Sequence, residues 1–395
     1  MSKSNPIRID ERRAVAHLMD LLKVPGLSGK ERRVAECVKA KLRNAGCRAS
    51  WVRHDDAHKR LGMGFEVGNL IVSLPGTRPG PCRLFSGHMD TVPLCRGAVP
   101  VQKGNRIVSR GATGLGADNR TAVACLVTTV ETVLKQGLPH PPTTFLFTIA
   151  EEIGLMGAKS VRRSDLGNPK MGFNIDAGPA AGFLTAAIGA TRWEAEVIGR
   201  CAHAGVHPED GVSAILIAAR AIRDVGSRGF FGKIEKGRRK GTANVGRIEG
   251  GEASNQVTDR VRVTGECRSH DPVFLATINQ AYRDAFDGAA ASVRNRSGKP
   301  GRVQFKSQDD YDAFALSKEE PVVQYALRAA KALGLKPLTQ SVDGGLDANS
   351  FNRKGIPTIT FGAGQHSPHT VDEYVDLREY VQGCRLGVGL AVGEA

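Results

Sequence analysis

The sequence predicts an α/β fold interrupted by a second, α+β domain, and three observations carry that expectation. Short apolar runs are near-continuous instead of alternating, as in strands covered on both faces. Helical patterns lie between those runs. A middle stretch then switches to strict alternation before the first texture returns. The continuous runs fall at 69–74, 83–86, 143–150 and 172–176, with a helix expected over 121–134. From about Thr191 the texture changes. An alternating strand at 193–198, a helix at 211–225, strands at 243–248 and 259–266, a helix at 273–293 and a strand at 302–306 follow. That is the βαββαβ order of a ferredoxin-like sandwich. A last buried strand, 358–361, follows Pro357 and belongs to the first domain. The expected boundaries are 1–188 with 315–395 for the domain holding a mixed, mostly parallel sheet between helices, and 189–314 for the insert. Two helix starts are read as capping boxes: Ser28 with Glu31, its helix stopping at Gly46, and Ser317 with Glu320, its helix stopping at Gly334.

Size and composition agree with this. The 395 residues exceed the ~250–300 at which one core usually stops growing. A hydrophobic content of 41% with 24% charged residues excludes disorder and fibrous repeats. The longest apolar stretches, 214–219 and 386–392, fall short of the ~20 residues of a membrane span, so no membrane partner is expected. The opening MSKSNPIRIDERR has no apolar h-region, and a cytoplasmic protein is the expectation. The eight cysteines form no CxxC pair and read as reduced, mostly buried thiols. A net charge of +15 raises the question of nucleic acid, but the dense basic run, KIEKGRRK at 233–240, is bracketed by glycines and reads as a solvated loop. Without an aromatic-interleaved basic patch, a catalytically dead nucleic-acid-binding protein is the remote alternative, and nucleic acid is not an expected partner.

Chemistry concentrates where strands end. His88 and Asp90 stand in SGHMDTVP, Glu151 and Glu152 in TIAEEIGLMG, and Asp176 in FNIDAG. Carboxyl ends of strands in an open α/β sheet gather ligands, so these separate motifs are expected to converge. Asp118, in the glycine-rich TGLGADN ahead of a helix, and His369, in HSPHTVDEYV, complete the set. Two imidazoles and several carboxylates without thiolate suit Zn²⁺, Co²⁺ or Mn²⁺. Asp118, Glu152 and Asp176 with one bridging anion balance two divalent ions, whereas one ion would leave five carboxylates crowded around too little positive charge. Glu151, beside a ligand, is then placed to take the proton of a metal-acidified water and pass it to a leaving amine. Asp90, two residues beyond His88, is placed to accept the other imidazole N–H.

These motifs, together with GNLIVSLPG from Gly68 and AHAGVHPEDGVSAI from Ala202, occur in the order of one family. Over nearly its whole length the chain resembles bacterial peptidase T, the tripeptide aminopeptidase group, and its dizinc relatives: carboxypeptidase G, succinyl-diaminopimelate desuccinylase and the aminoacylases. The resemblance implies a catalytic zinc-peptidase domain carrying an inserted lid and dimerisation domain, with two Zn²⁺ per subunit and Co²⁺ or Mn²⁺ as substitutes in vitro. It implies that Asp118 bridges the ions, with His88 and Asp176 on one and Glu152 and His369 on the other, and that the Asp118–Asn119 peptide is cis. It matches Glu151 to the family's general base and Asp90 to its supporting aspartate. For the substrate it implies His203 at the scissile carbonyl, often across a homodimer, Arg268 on a substrate carboxylate, a further hydrogen bond from Asn255, and close backbone approach at Gly344 and Gly345.

Two departures bear on this. HSPH offers a second imidazole, His366; His369 is preferred because Glu373 follows it by four residues, and His366 is the fallback. The interval between Asp90 and Asp118 is shorter than expected for peptidase T itself. The expected activity is hydrolysis of short peptides by a dizinc exopeptidase, with tripeptide aminopeptidase preferred and an N-acyl amino acid amidohydrolase or carboxypeptidase of the same group as the alternative.

Overall fold

A computed structural model describes residues 8–393. The chain separates into two compact units. One comprises the described residues up to Ala186, with Ala315–Val342 and those from Leu346. The other comprises Ala187–Phe314 with Asp343–Gly345.

The first unit is built on a nine-stranded mixed sheet. At its centre Arg83–His88 runs parallel to Thr143–Thr148 on one side and to Met171–Ile175 on the other, and Thr358–Phe361 runs parallel to Met171–Ile175. Along one strand Leu84 enters the core on one face while Phe85 enters the core on the other; Leu146 and Phe147 do the same. That double burial is why these strands read as unbroken apolar runs. The helix Ala117–Lys135 is buried all round over residues 119–133. It tolerates buried threonines because Thr121, Thr128, Thr129 and Thr132 each donate to the carbonyl four residues back.

The second unit is a five-stranded antiparallel sheet in the order Gly232–Lys236, Arg239–Gly250, Arg260–Ser269, Gly189–Ile198, Arg302–Tyr311. The helices Ala214–Ser227 and Pro272–Ser292 pack on it through a core around Trp193, Tyr282, Phe286 and Phe305. Asp271 caps the longer helix by accepting from Val273 and Phe274 N–H. The βαββαβ order is present with one strand added.

That added strand corrects one expectation. The basic run 233–240 is not a loop: it forms a hairpin in which Lys236 pairs with Arg239. Ile234 is buried while its charged neighbours stay in water, and lysines on an edge strand discourage further strand pairing. Neither predicted capping box forms. The helices Arg32–Asn44 and Pro321–Ala332 have Glu31 and Glu320 themselves at the N-cap, with no side-chain capping bond. The serines therefore lie outside the helices. All eight cysteines are unpaired. Among the described residues no helix is long and apolar enough to cross a membrane.

Candidate active site

The first unit assembles its strand-end motifs in one place. His88 ends the strand Arg83–His88, Glu151 and Glu152 follow Thr143–Thr148, and Asp176 follows Met171–Ile175. Because these strands are parallel and adjacent, all four side chains emerge at the same edge. Asp118 enters from the first turn of Ala117–Lys135, where the Asp118–Asn119 peptide is cis. His369 comes from the loop between the short strands Gln365–His366 and Tyr374–Asp376, at φ +62°.

Asp118 is the centre of the cluster. Its Oδ1 lies 3.1 Å from His88 Nε2, and its Oδ2 lies 3.5 Å from His369 Nε2. Asp176 Oδ1 is 3.9 Å from His88 Nε2, and Glu152 Oε2 is 2.9 Å from His369 Nε2. The two oxygens of one carboxylate thus face two separate groups, His88 with Asp176 and His369 with Glu152. Donor atoms of His88, Asp118 and Glu152 lie within 4.8 Å of one another. Hard oxygens and imidazole nitrogens at this spacing fit a metal cofactor. Glu151 Oε2 stands 3.9 Å from His88 Nε2. Asp90, fully buried, places Oδ1 3.3 Å from His88 Nδ1 and accepts from the N–H groups of Glu151 at 3.0 Å and Glu152 at 3.2 Å.

The electrostatics describe a site short of positive charge. Burial pushes the carboxyl groups of Glu151, Asp176 and Glu152 up, and the neighbouring carboxylates add to the shift. Burial alone would do the same to Asp118, but hydrogen bonds from His369 and His88 hold it below the usual range. The hydrogen bonds to Asp118 and Glu152 raise His369 to about 10. His88 is raised as well: burial works against its cation, yet Glu151, Asp118 and Asp90 outweigh it.

His366, the fallback, is engaged elsewhere: its Nε2 lies 2.6 Å from Glu379 Oε2 and its ring stacks on Tyr374. Several further residues hold the cluster, among them Glu373, already marked by its spacing from His369. Glu373 accepts from the N–H groups of Leu115, Gly116 and Asp118, fastening the loop that presents Asp118. Gln365 Nε2 donates to Asp176 at 3.2 Å. Asp347, 1% exposed, accepts from Thr148 Oγ1 and leaves its other oxygen unpartnered, and burial raises it to about 6. Its signal was an acid two residues after the glycine pair in DGGLDANSF.

The predicted substrate residues of the second unit do not form one group. His203 and Asn255 are neighbours in a short ribbon, where Ala204 N–H donates to Asn255 carbonyl at 2.8 Å, and both side chains are exposed. Arg268 pairs with Ala190 near the opposite end of the ten-residue strand Arg260–Ser269, roughly 25 Å away at ~3.3 Å per residue. Its guanidinium already makes a two-point contact with Glu266, at 2.9 and 3.1 Å. Gly345 allows a close approach, but to the Tyr311 ring, which a Cβ there would meet at 2.4 Å. Gly344, beside it, is half-buried.

Residues 84–392 match the model of peptidase family M20/M25/M40. The chain is 32% identical to an uncharacterized protein, YqjE, of Bacillus subtilis (strain 168), over 97% of this chain and 98% of that protein. Among solved structures it is similar to the aminopeptidase PepT of Bacillus cereus ATCC 10987, with TM-score 0.83, 33% identity, and 97% and 98% of the two chains covered. It is also similar to a tripeptidase of Staphylococcus aureus subsp. aureus Mu50, with TM-score 0.85, 30% identity and the same coverage.

Proposed function

The chain belongs to peptidase family M20/M25/M40, and on that premise we propose that it is a dizinc aminopeptidase that removes the N-terminal residue of tripeptides. The observation that carries this is Asp118, whose two oxygens face two separate imidazole–carboxylate pairs. His88 and Asp176 would hold one Zn²⁺, His369 and Glu152 the other, and Asp118 both. When bound, the ions supply Lewis acidity at the scissile carbonyl and make a water acidic enough to lose its proton near neutral pH. Glu151 accepts that proton and returns it to the leaving amine; burial shifts its carboxyl upward, the direction that favours accepting a proton. Asp90 holds the Nδ1 side of His88, so that Nε2 presents its lone pair to the cluster.

In the inserted unit, which we assign as lid and dimerisation domain, His203 supplies a donor to the developing oxyanion and Arg268 receives the substrate carboxylate in competition with Glu266. Asn255, Gly344 and Gly345 complete the substrate contacts. The placement of His203 in a ribbon whose other strand, Gln256–Val257, precedes Arg260–Ser269, with Arg268 near that strand's far end, supports His203 serving the partner subunit of a homodimer. The unpaired thiols support a cytoplasmic setting.

The test is a defined panel of tripeptides, dipeptides, C-terminally extended peptides and N-acetyl amino acids, assayed with Zn²⁺, Co²⁺ or Mn²⁺. Release of the N-terminal residue from tripeptides is expected. Preference for N-acetyl amino acids or release of a C-terminal residue would move the assignment to an amidohydrolase or carboxypeptidase of the same family.

A further inference from the structure

The Ser28–Glu31 pair does no capping; both side chains turn toward the loop that carries Glu151 and Glu152. Four consecutive backbone N–H groups open that loop, and each donates to a side chain. Ile149 donates to Asn69 Oδ1 at 3.1 Å, Ala150 to Glu31 Oε1 at 3.0 Å, Glu151 to Asp90 Oδ1 at 3.0 Å and Glu152 to Asp90 Oδ2 at 3.2 Å. At a buried strand end these donors must be paired, so three side chains dictate the path of the loop. Ala150 sits at φ +50°, a region that a residue with a Cβ adopts only when its surroundings hold it there.

Glu31 is the side chain that holds it. Its Oε1 also accepts from Gly29 N–H at 2.7 Å, which fixes the carboxyl in place. Ser28 Oγ donates to Asp90 Oδ2 at 2.7 Å, the oxygen that accepts from Glu152 N–H. One four-residue segment therefore reaches both carboxylates that fasten the loop. Glu31 is fully buried and its Oε2 has no hydrogen-bond partner. A half-satisfied buried carboxyl is costly, and no helix-capping bond offsets that cost.

We infer that Glu31, seconded by Ser28, is a positioning residue for Glu151: it locks the left-handed turn at Ala150 and so keeps the Glu151 carboxyl beside His88. The inference rests on the assignment of Glu151 as general base; Glu31 itself touches neither the substrate nor the cluster's donor atoms. It acts through the backbone, so its loss is expected to slow turnover without weakening substrate binding, because small misplacements of a catalytic group are expensive in rate.

The test uses the full chain with Glu31→Ala, Glu31→Gln and Ser28→Ala, read in two ways. Hydrogen exchange of the 149–157 segment is followed in the metal-free protein, and kcat, KM and bound metal are measured with the best tripeptide substrate. Glu31→Ala is expected to speed exchange at Ala150 and Glu151 about tenfold or more and to lower kcat by about tenfold or more, with KM and metal content near those of the parent. Glu31→Gln, whose carboxamide oxygen can accept the same two N–H groups, is expected to recover most of both. Ser28→Ala is expected to fall between them. Parental exchange and kcat in Glu31→Ala would overturn the inference, as would equal damage in Glu31→Gln and Glu31→Ala, or a rise in KM or loss of metal at unchanged kcat. Should Glu31→Ala fail to fold, Ser28→Ala decides: faster exchange with lowered kcat supports the inference, and parental values of both overturn it. A parent inert toward every peptide would sink the proposed function, while the exchange measurement would still decide the role of Glu31.

Discussion

The two units carry their functional side chains in opposite ways. In the first, ionisable groups already face one another, buried or half-buried except for the exposed His369: His88, Asp118, Glu152 and His369 stand within 2.9 to 3.5 Å of a neighbour in the cluster. In the second, His203 and Asn255 lie exposed, and Arg268 is occupied by Glu266. The first is a site organised before any ligand arrives, at the cost of crowded carboxylates. The second presents its groups to solvent or to one another, and the substrate role proposed for them would need a substrate to engage them. Substitutions in the first unit should therefore affect metal and chemistry, and those in the second should affect how substrate is held.

The largest effect is expected at Glu151. Glu151→Gln should lower kcat by ~10²–10⁴ with metal retained, whereas His88→Ala should lose bound metal as well; metal analysis beside the peptide assay separates them. Parental activity in Glu151→Gln would remove the assigned base. Next comes His203→Ala, with a loss of ~10²–10³ on the scale of one oxyanion donor. Mixing His203→Ala with Glu151→Gln subunits should restore activity if His203 acts across a dimer while Glu151 serves its own subunit, and the absence of any recovery would place His203 in its own subunit's site or outside catalysis.

Chelation should distinguish the units more gently. Removing metal with EDTA is expected to lower the melting temperature by on the order of 5–10 °C and to speed hydrogen exchange around residues 88–90, 118 and 149–152 while leaving the inserted unit as it was. An unchanged melting temperature would contradict the cluster's need for counter-charge. The smallest effect is a pH dependence at Asp347. Burial raises its carboxyl to about 6 from an ordinary 3.8, so the folded protein keeps a proton that the unfolded chain gives up. That stability is complete below about pH 4 and is lost as pH rises through about 6. In metal-free protein, Asp347→Asn should therefore gain a few degrees over the parent at pH 7.5 relative to the same comparison at pH 4.5. An equal difference at both pH values would show that Asp347 does not titrate in this window.

The same contrast explains what the sequence could reveal. His88, Asp90, Glu151, Glu152 and Asp176 leave the chain directly after buried strands, so strand-end position marked them, and the structure brings them together with Asp118 and His369. Asp347 and the roles of Glu31 and Glu373 escaped because their partners are distant in sequence: Glu31 serves Ala150, and Glu373, marked only by its spacing from His369, serves the N–H groups of residues 115–118. An acid just ahead of a helix looks like a cap whichever way its side chain points, and Ser28 with Glu31 carried that local signature while serving a non-local contact. The fold was legible for a related reason. Continuous apolar runs report burial on both faces and alternating runs report burial on one. The hairpin at 233–240 was missed because a charged edge strand, with little more than Ile234 turned inward, has the composition of a loop.

The central claim is that Asp118 is shared by two metal ions. Titration of metal-free protein with Zn²⁺, followed calorimetrically and checked by metal analysis after gel filtration, tests it most directly. Two equivalents per chain are expected, falling to one or none in Asp118→Ala. Saturation of the parent at a single equivalent, or no binding at all, would contradict it.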